Sequence, residues 1–200
     1  MVGARRNQGG FTLTELMVVV VILALLAALS TPLFTKDNTA RKGRSWAKIV
    51  AMMLQRARFQ AMGDRTPIHA MLYRTHVDLY REVPPVPPST NRTYELLSKT
   101  IAPIADDDRT IAIWGARTDS TVPNTQDTNF EESTTAPPTD LAPRPNEIIF
   151  LPLGSTLNNA NWRVYIRNEL LASNHPDASF LINVRGLTGF VSENDKVVLP

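Results

Sequence analysis

GGFTLTELMVVVVILALLAALSTP, Gly9 to Pro32, decides how the rest of the chain is read. Leu16 to Leu29 are fourteen consecutive apolar residues, and a helix from Phe11 to Phe34 would contain twenty-four. At about 1.5 Å per residue such a helix reaches roughly 36 Å, enough for a hydrocarbon core of about 30 Å. Glu15 sits in its opening turns. A charged group inside a bilayer costs on the order of 2.5 to 3.5 kcal/mol at the centre and less near an end, so an intramembrane acid calls for a function and a partner. Three simpler readings leave Glu15 without a use. One is an ordinary secretory leader cut after Ser30. The second is a twin-arginine signal, although Arg5-Arg6 is not closely followed by the usual apolar residues. The third is a passive membrane anchor. Gly9 and Gly10 resist helix formation, which lets the bond after them lie extended in a protease. Pro32 removes one backbone hydrogen bond and is expected to kink, open or end the helix.

The same block resembles the amino terminus of type IV pilins and type II secretion pseudopilins, on Gly10, Phe11, Thr12, Leu13, Glu15 and Pro32. The resemblance implies that a prepilin peptidase cuts between Gly10 and Phe11 and that Phe11 is then N-methylated. It also implies that Glu15 pairs with the Phe11 amine of a neighbouring subunit as a filament assembles. An unpaired charge is costly in low dielectric, so such docking neutralises two penalties together. Phe11 and Glu15 are also spaced i, i+4 and could pair within one helix; the sequence leaves both pairings open. Other subunits, the peptidase, an inner-membrane assembly platform and membrane lipid are the partners implied. The implied orientation is single-pass, with a cytoplasmic amino terminus and a periplasmic domain. Charge runs against it. Lys36, Arg41, Lys42, Arg44 and Lys48 follow the apolar run, whereas only Arg5, Arg6 and the terminal amine precede it.

Past this segment Trp46, Ile49, Val50, Met53, Leu54, Ala57 and Ala61 fall on one helical stripe, which needs a sheet to cover it. Gly63-Asp64 and Pro67 signal its end. One long helix is expected, interrupted near Pro32 and Gly43. Strand-like runs follow at 68–83, 110–114, 147–153, 162–167, 179–185 and 190–192, with 196–199 a candidate edge strand. Strands gathered behind a helix give an α+β fold, a long amino-terminal helix packed on an antiparallel sheet. The organisation is a leader over 1–10, a membrane and assembly helix over 11–34, an amphipathic continuation over 35–66 and a β-rich domain over 67–200. Pro- and Thr-rich insertions lie near 84–93 and 118–146. The stretches FLPLGSTLNNANWRVYIRN and ASFLINVRGLTGFVS, with Thr188-Gly189, resemble the closing strands of GspH/FimT minor pseudopilins.

Chemistry is sparse. There is no cysteine, which excludes disulfides and thiolate metal sites. Arg5 and Arg6 belong to the 21 basic residues; without the first ten residues 19 basic face 19 acidic, so charge alone gives little reason to expect nucleic acid. His69 and His76, read as one strand, point to opposite faces and make no metal pair. Asp106-Asp107-Asp108 lacks the spaced oxygens of a calcium loop, and Glu131-Glu132 reads as a solvated pair. Asn91-Arg92-Thr93 is a glycosylation triplet common by chance. No phosphate loop, nucleophile elbow or zincin helix occurs, so neither an active site nor a cofactor is expected. The sequence thus reads as a non-enzymatic filament subunit. The alternatives are a FimT-like DNA-binding minor pilin using Arg163, Arg167 and Arg185, and an exported protein with an ordinary leader.

Overall fold

The computed structural model describes residues 12–85, 92–101, 111–118, 138, 144–169, 171–172, 175 and 178–195, with backbone alone at 28–39 and 194–195. Gly10 and Phe11, the Asp106 to Asp108 run, Glu131-Glu132 and the strand expected over 196–199 lie outside these residues, as does most of both insertions. The chain divides into two units, Met1–Asn38 and Thr39–Pro200.

One helix, α1, runs Leu13–Asp64. The interruptions expected near Pro32 and Gly43 do not occur in α1. At Gly43 the reason is packing: a Cβ there would sit 3.0 Å from the Asn168 side-chain amide and 3.2 Å from the Phe180 ring. The glycine admits close approach of helix and sheet, and its cost in helix propensity, about 1 kcal/mol, is small beside the packing it permits. The helix ends where the stop signals lie, with Arg65 in the left-handed region at φ 55°. Among the described residues no helix is long and apolar enough to cross a membrane. Within the apolar run, side chains are described from Thr12 to Ala27, sixteen residues, against the roughly 20 of a typical span.

In the second unit, α1 is followed by β1 (Ile68–Leu72), β2 (His76–Val83), β3 (Thr93–Ile101), β4 (Ile111–Arg117), β5 (Glu147–Phe150), β6 (Trp162–Asn168), β7 (Ser179–Val184) and β8 (Val191–Asp195). They form two four-stranded antiparallel sheets, ordered β3-β2-β1-β5 and β4-β6-β7-β8, where the sequence had led us to expect one. The run 68–83 is a hairpin, reversed at Tyr73 to Thr75, and β3 is a strand the sequence reading missed. Both results have a local cause. The turn carries no Gly or Pro, and β3 is an edge strand with a bulge opposite Leu79/Tyr80, so its alternation is broken.

The stripe on α1 is the keystone of this unit. Trp46, Val50, Leu54, Ala57 and Ala61 are fully buried, and Met53 nearly so. They share one core with Ile68, Ala70, Leu72, Val77, Leu79, Ile148 and Phe150 of the first sheet and with Ile113, Val164, Ile166, Phe180, Ile182 and Val184 of the second. Each sheet shows alternate residues to this core, as period-2 geometry requires. The Thr-Gly motif acts at its margin. Gly189 has φ +59°, and a Cβ there would collide with the Gly154 carbonyl, so the turn before β8 seats on the turn after β5 only with glycine.

Trp46→Ala removes the largest fully buried side chain of the core. It is expected to lower the stability of the full chain by about 3 to 5 kcal/mol. Met52→Ala, on the exposed face, should change it by less than about 0.5 kcal/mol. Urea unfolding followed by near-ultraviolet circular dichroism measures both.

Candidate functional site

Because α1 begins at Leu13, Thr12 is its cap residue and Glu15 its third position. The Thr12 backbone N–H donates to Glu15 Oε2 at 2.9 Å, and the Thr12 hydroxyl donates to the same oxygen at 2.8 Å. In return the Glu15 N–H donates to the Thr12 hydroxyl oxygen at 3.3 Å. This reciprocal pattern is a capping box, in which two of the otherwise unpaired donors at a helix start are satisfied by side chains. An acid in the first turn also meets the positive end of the helix dipole. The signal was legible, since Thr12-Leu13-Thr14-Glu15 has the S/T-x-x-E spacing, but the sequence reading gave the acid only to Phe11. In the single chain Glu15 already has a partner.

Beyond the box the large apolar side chains from Leu13 to Leu26 are exposed among the described residues. Leu13 is 77 % exposed and Val19, the most covered of the large side chains from Leu13 to Leu26, is 48 % exposed. Full burial of a side chain of this size is worth about 1.5 to 3 kcal/mol, so this surface strongly favours lipid or other helices over water. Pro32 is described only as backbone within α1.

Arg163 and Arg167 share the face of β6 turned from the core, and Arg117 of β4 pairs directly across from Arg163. Arg185 continues the parity of β7 just past its end and is exposed. The guanidinium of Arg167 lies 4.5 Å from the Trp114 ring centroid, so this cation is stacked within the domain.

His69 and His76 do not point to opposite faces. The hairpin reverses the chain between them, and His69 pairs with Tyr80, which shares β2 parity with His76, so both lie on the outer face of the first sheet. His69 Nδ1 hydrogen-bonds Glu147 Oε1, its Nε2 is 3.7 Å from Glu82, and Tyr94 meets the ring edge-on at 5.0 Å. His76 stacks on Tyr73 at 4.3 Å and lies 3.7 Å from Asp78. Glu147 is further held by the Arg144 backbone N–H at 2.9 Å, and Asn146 donates to the Leu72 carbonyl at 3.0 Å. Burial pushes the Tyr73 hydroxyl up to about 12, reinforced by Tyr80 and Asp78, so it stays neutral. Burial likewise raises Tyr80 and Asp78, with His76 and Lys99 partly pulling Asp78 back. The cluster has no nucleophile beside a base, and among the described residues no group of side chains could hold a metal. It ties the chain re-entering at β5 onto β1.

With this geometry in place, comparison with known proteins is informative at the amino terminus. The family described as the prokaryotic N-terminal methylation motif matches residues 5–31, which bears out the resemblance carried by Gly10 to Glu15. No curated protein matches the chain. Among solved structures, it is similar to the type IV minor pilin FimU of Pseudomonas aeruginosa, at 14 % identity over 80 % of this chain and 92 % of that one, with a TM-score of 0.47. It is also similar to the minor pseudopilin EpsH of the Vibrio cholerae type II secretion system, at 9 % identity over 78 % and 96 %, with a TM-score of 0.49.

A raised native value at Asp78 means the folded protein holds that proton more tightly than the unfolded chain. The stability due to this group is therefore complete below the ordinary carboxylate value and is lost as pH rises through the native one. Asp78→Asn, which cannot ionise, is expected to unfold at a higher temperature than the parent at pH 7. The advantage should shrink as pH falls toward about 4. Thermal melts at several pH values measure this, and parallel profiles would contradict it.

Proposed function

We propose that the chain is a structural subunit of the minor pilin or pseudopilin kind. In this reading it is cut between Gly10 and Phe11, methylated on Phe11, held in the inner membrane by 11–34 with its β-rich domain in the periplasm, and drawn into a filament by helix packing. The match of residues 5–31 to the methylation motif carries the proposal. The helix begun by the Thr12–Glu15 box, with an apolar surface left uncovered, supports it.

In the assembly step, Glu15 exchanges its hydrogen bonds to Thr12 for the Phe11 amine of a neighbour. The capping box keeps the carboxylate oriented at the helix start until that amine arrives, and the exchange replaces neutral donors with a charged one, a stronger class of hydrogen bond. The apolar surface from Leu13 to Leu26 then passes from lipid to protein contact. DNA capture is the second reading, resting on the common face of Arg117, Arg163 and Arg167. The stacking of Arg167 on Trp114 commits one of those cations internally and leaves this reading the weaker.

Capping and inter-subunit pairing are separable. Glu15→Gln can still close a capping box but carries no charge, whereas Thr12→Val opens the box and leaves the carboxylate free. In the source cells, Glu15→Gln and Glu15→Ala are expected to be processed normally yet to fall roughly tenfold in sheared filaments, a difference near 1.4 kcal/mol. Thr12→Val should assemble close to the parent level. Normal incorporation of Glu15→Gln would show that the acid serves the helix start alone.

A further inference from the structure

The part of α1 within the second unit carries a charge pattern that core packing does not use. From Thr39 to Gly63 it holds Arg41, Lys42, Arg44, Lys48, Arg56 and Arg58 and no acid. The next carboxylate, Asp64, already lies 3.5 Å from Arg81. At 3.6 residues per turn Arg41, Lys48, Met52 and Phe59 recur at i, i+7, i+11 and i+18, on the face opposite Trp46 and Val50. All four are exposed, Met52 by 58 % and Phe59 by 55 %. Arg56 is exposed beside them, and with Met52 and Phe59 it lines a shallow groove of about 530 Å³. Arg41, Lys42, Lys48 and Arg56 make no ion pair with a described residue. The sequence also holds the opposite pattern. The nineteen residues 119–137 contain Asp119, Asp127, Glu131 and Glu132 and no Lys, Arg or His, and Phe130 adjoins the two glutamates.

We propose that this outer face of α1 is a docking surface for the acidic segment 119–137 of a second copy of the chain. The inference rests on the filament reading given under Proposed function, which brings subunits side by side. Charge complementarity selects the occupant: a helix face rich in cations, with no acid from Thr39 to Gly63, meets a segment with four acids and no cation. Complementary charge steers and registers such a contact, whereas two bare α1 faces brought together would set like charges against each other. The groove suits a segment of mixed character, with Phe130 against Met52 and Phe59 and the neighbouring carboxylates at Arg56. The segment's anchor points favour a second copy over the same chain. It leaves β4, an edge strand, and the chain returns at Pro138, which is buried, whereas the docking face is turned away from both sheets. Nineteen residues extend to about 60 Å, or about 30 Å out and back, enough to reach an adjoining molecule. Because the two surfaces differ, the contact is heterologous, the kind that propagates along a filament where an isologous contact closes as a pair.

The test uses two variants of the full-length chain purified in dodecyl maltoside. One carries Arg41→Glu, Lys48→Glu and Arg56→Glu, each at an exposed position of α1. The other carries Asp127→Lys, Glu131→Lys and Glu132→Lys in the segment. Self-association is followed by sedimentation velocity at low salt. The parent is expected to associate, and each variant alone to do so about tenfold more weakly or less. Mixed in equal amounts, the two should recover the parent's association, since each then offers the charge the other lacks. Salt at about 0.5 M should weaken association of the parent. Near-ultraviolet circular dichroism checks each fold, and the milder Arg41→Gln, Lys48→Gln and Arg56→Gln together should also weaken association. A parent that stays single leaves the face to some other partner and overturns the inference, as do variants that associate like the parent. A mixture no tighter than its components overturns it too, because the segment then docks within its own chain. Amino-terminal processing of the parent in its source cells reads the filament proposal separately. An unprocessed chain sinks that proposal, and a processed chain that does not associate sinks only the docking surface.

Discussion

The second unit depends on one contact: the stripe Trp46, Val50, Leu54, Ala57 and Ala61 lies against the inner faces of two sheets at once. Neither sheet has another α-helix among the described residues to cover its apolar face, and a sheet must bury that face against another element. Gly43 lets the helix come close at Asn168 and Phe180, and Gly154 and Gly189 let the turns seat around its far end. The contact also sets a division of labour along α1. The stripe from Trp46 to Ala61 is buried within the unit, whereas the large side chains from Leu13 to Leu26 are exposed among the described residues. One half of the helix organises a domain, and the other is left for lipid or for other helices.

That division gives the opening residues their meaning. A helix start exposes unpaired donors, and Thr12 with Glu15 satisfies two of them. Holding a carboxylate at the end of an apolar helix is costly when nothing answers it, and the box answers it provisionally with neutral groups. A charged amine offered by a neighbour is a stronger partner than a hydroxyl, so the same acid can serve the single chain and then favour assembly. In the proposed assembly the two roles are successive uses of one group.

Much of this was legible in the sequence, because some constraints are local. The apolar run, its acid and the glycines before it stand together within a short block, and the stripe on α1 follows helical periodicity without a break. The central strands announced themselves by alternation. What stayed hidden depends on partners distant in sequence. β3 was missed because a bulged edge strand with solvent on one side loses its pattern, and the 68–83 hairpin because Tyr73-Arg74-Thr75 carries no turn residue. The polar cluster of His69, Glu147 and Glu82 joins three strands and could not be seen from spacing, and misreading the hairpin placed His69 and His76 on the wrong faces. The capping box is a different case, since its Thr12-x-x-Glu15 signature is wholly local and stands in the sequence.

The claim on which the functional reading turns is that the chain is remade at Gly10 before it acts. Intact mass and amino-terminal sequencing of the protein from its source cells test this most directly. The predicted result is a chain that begins at Phe11 and is one methyl group heavier than its sequence. A native chain that keeps Met1 to Gly10, or one that begins at Thr31, would contradict it.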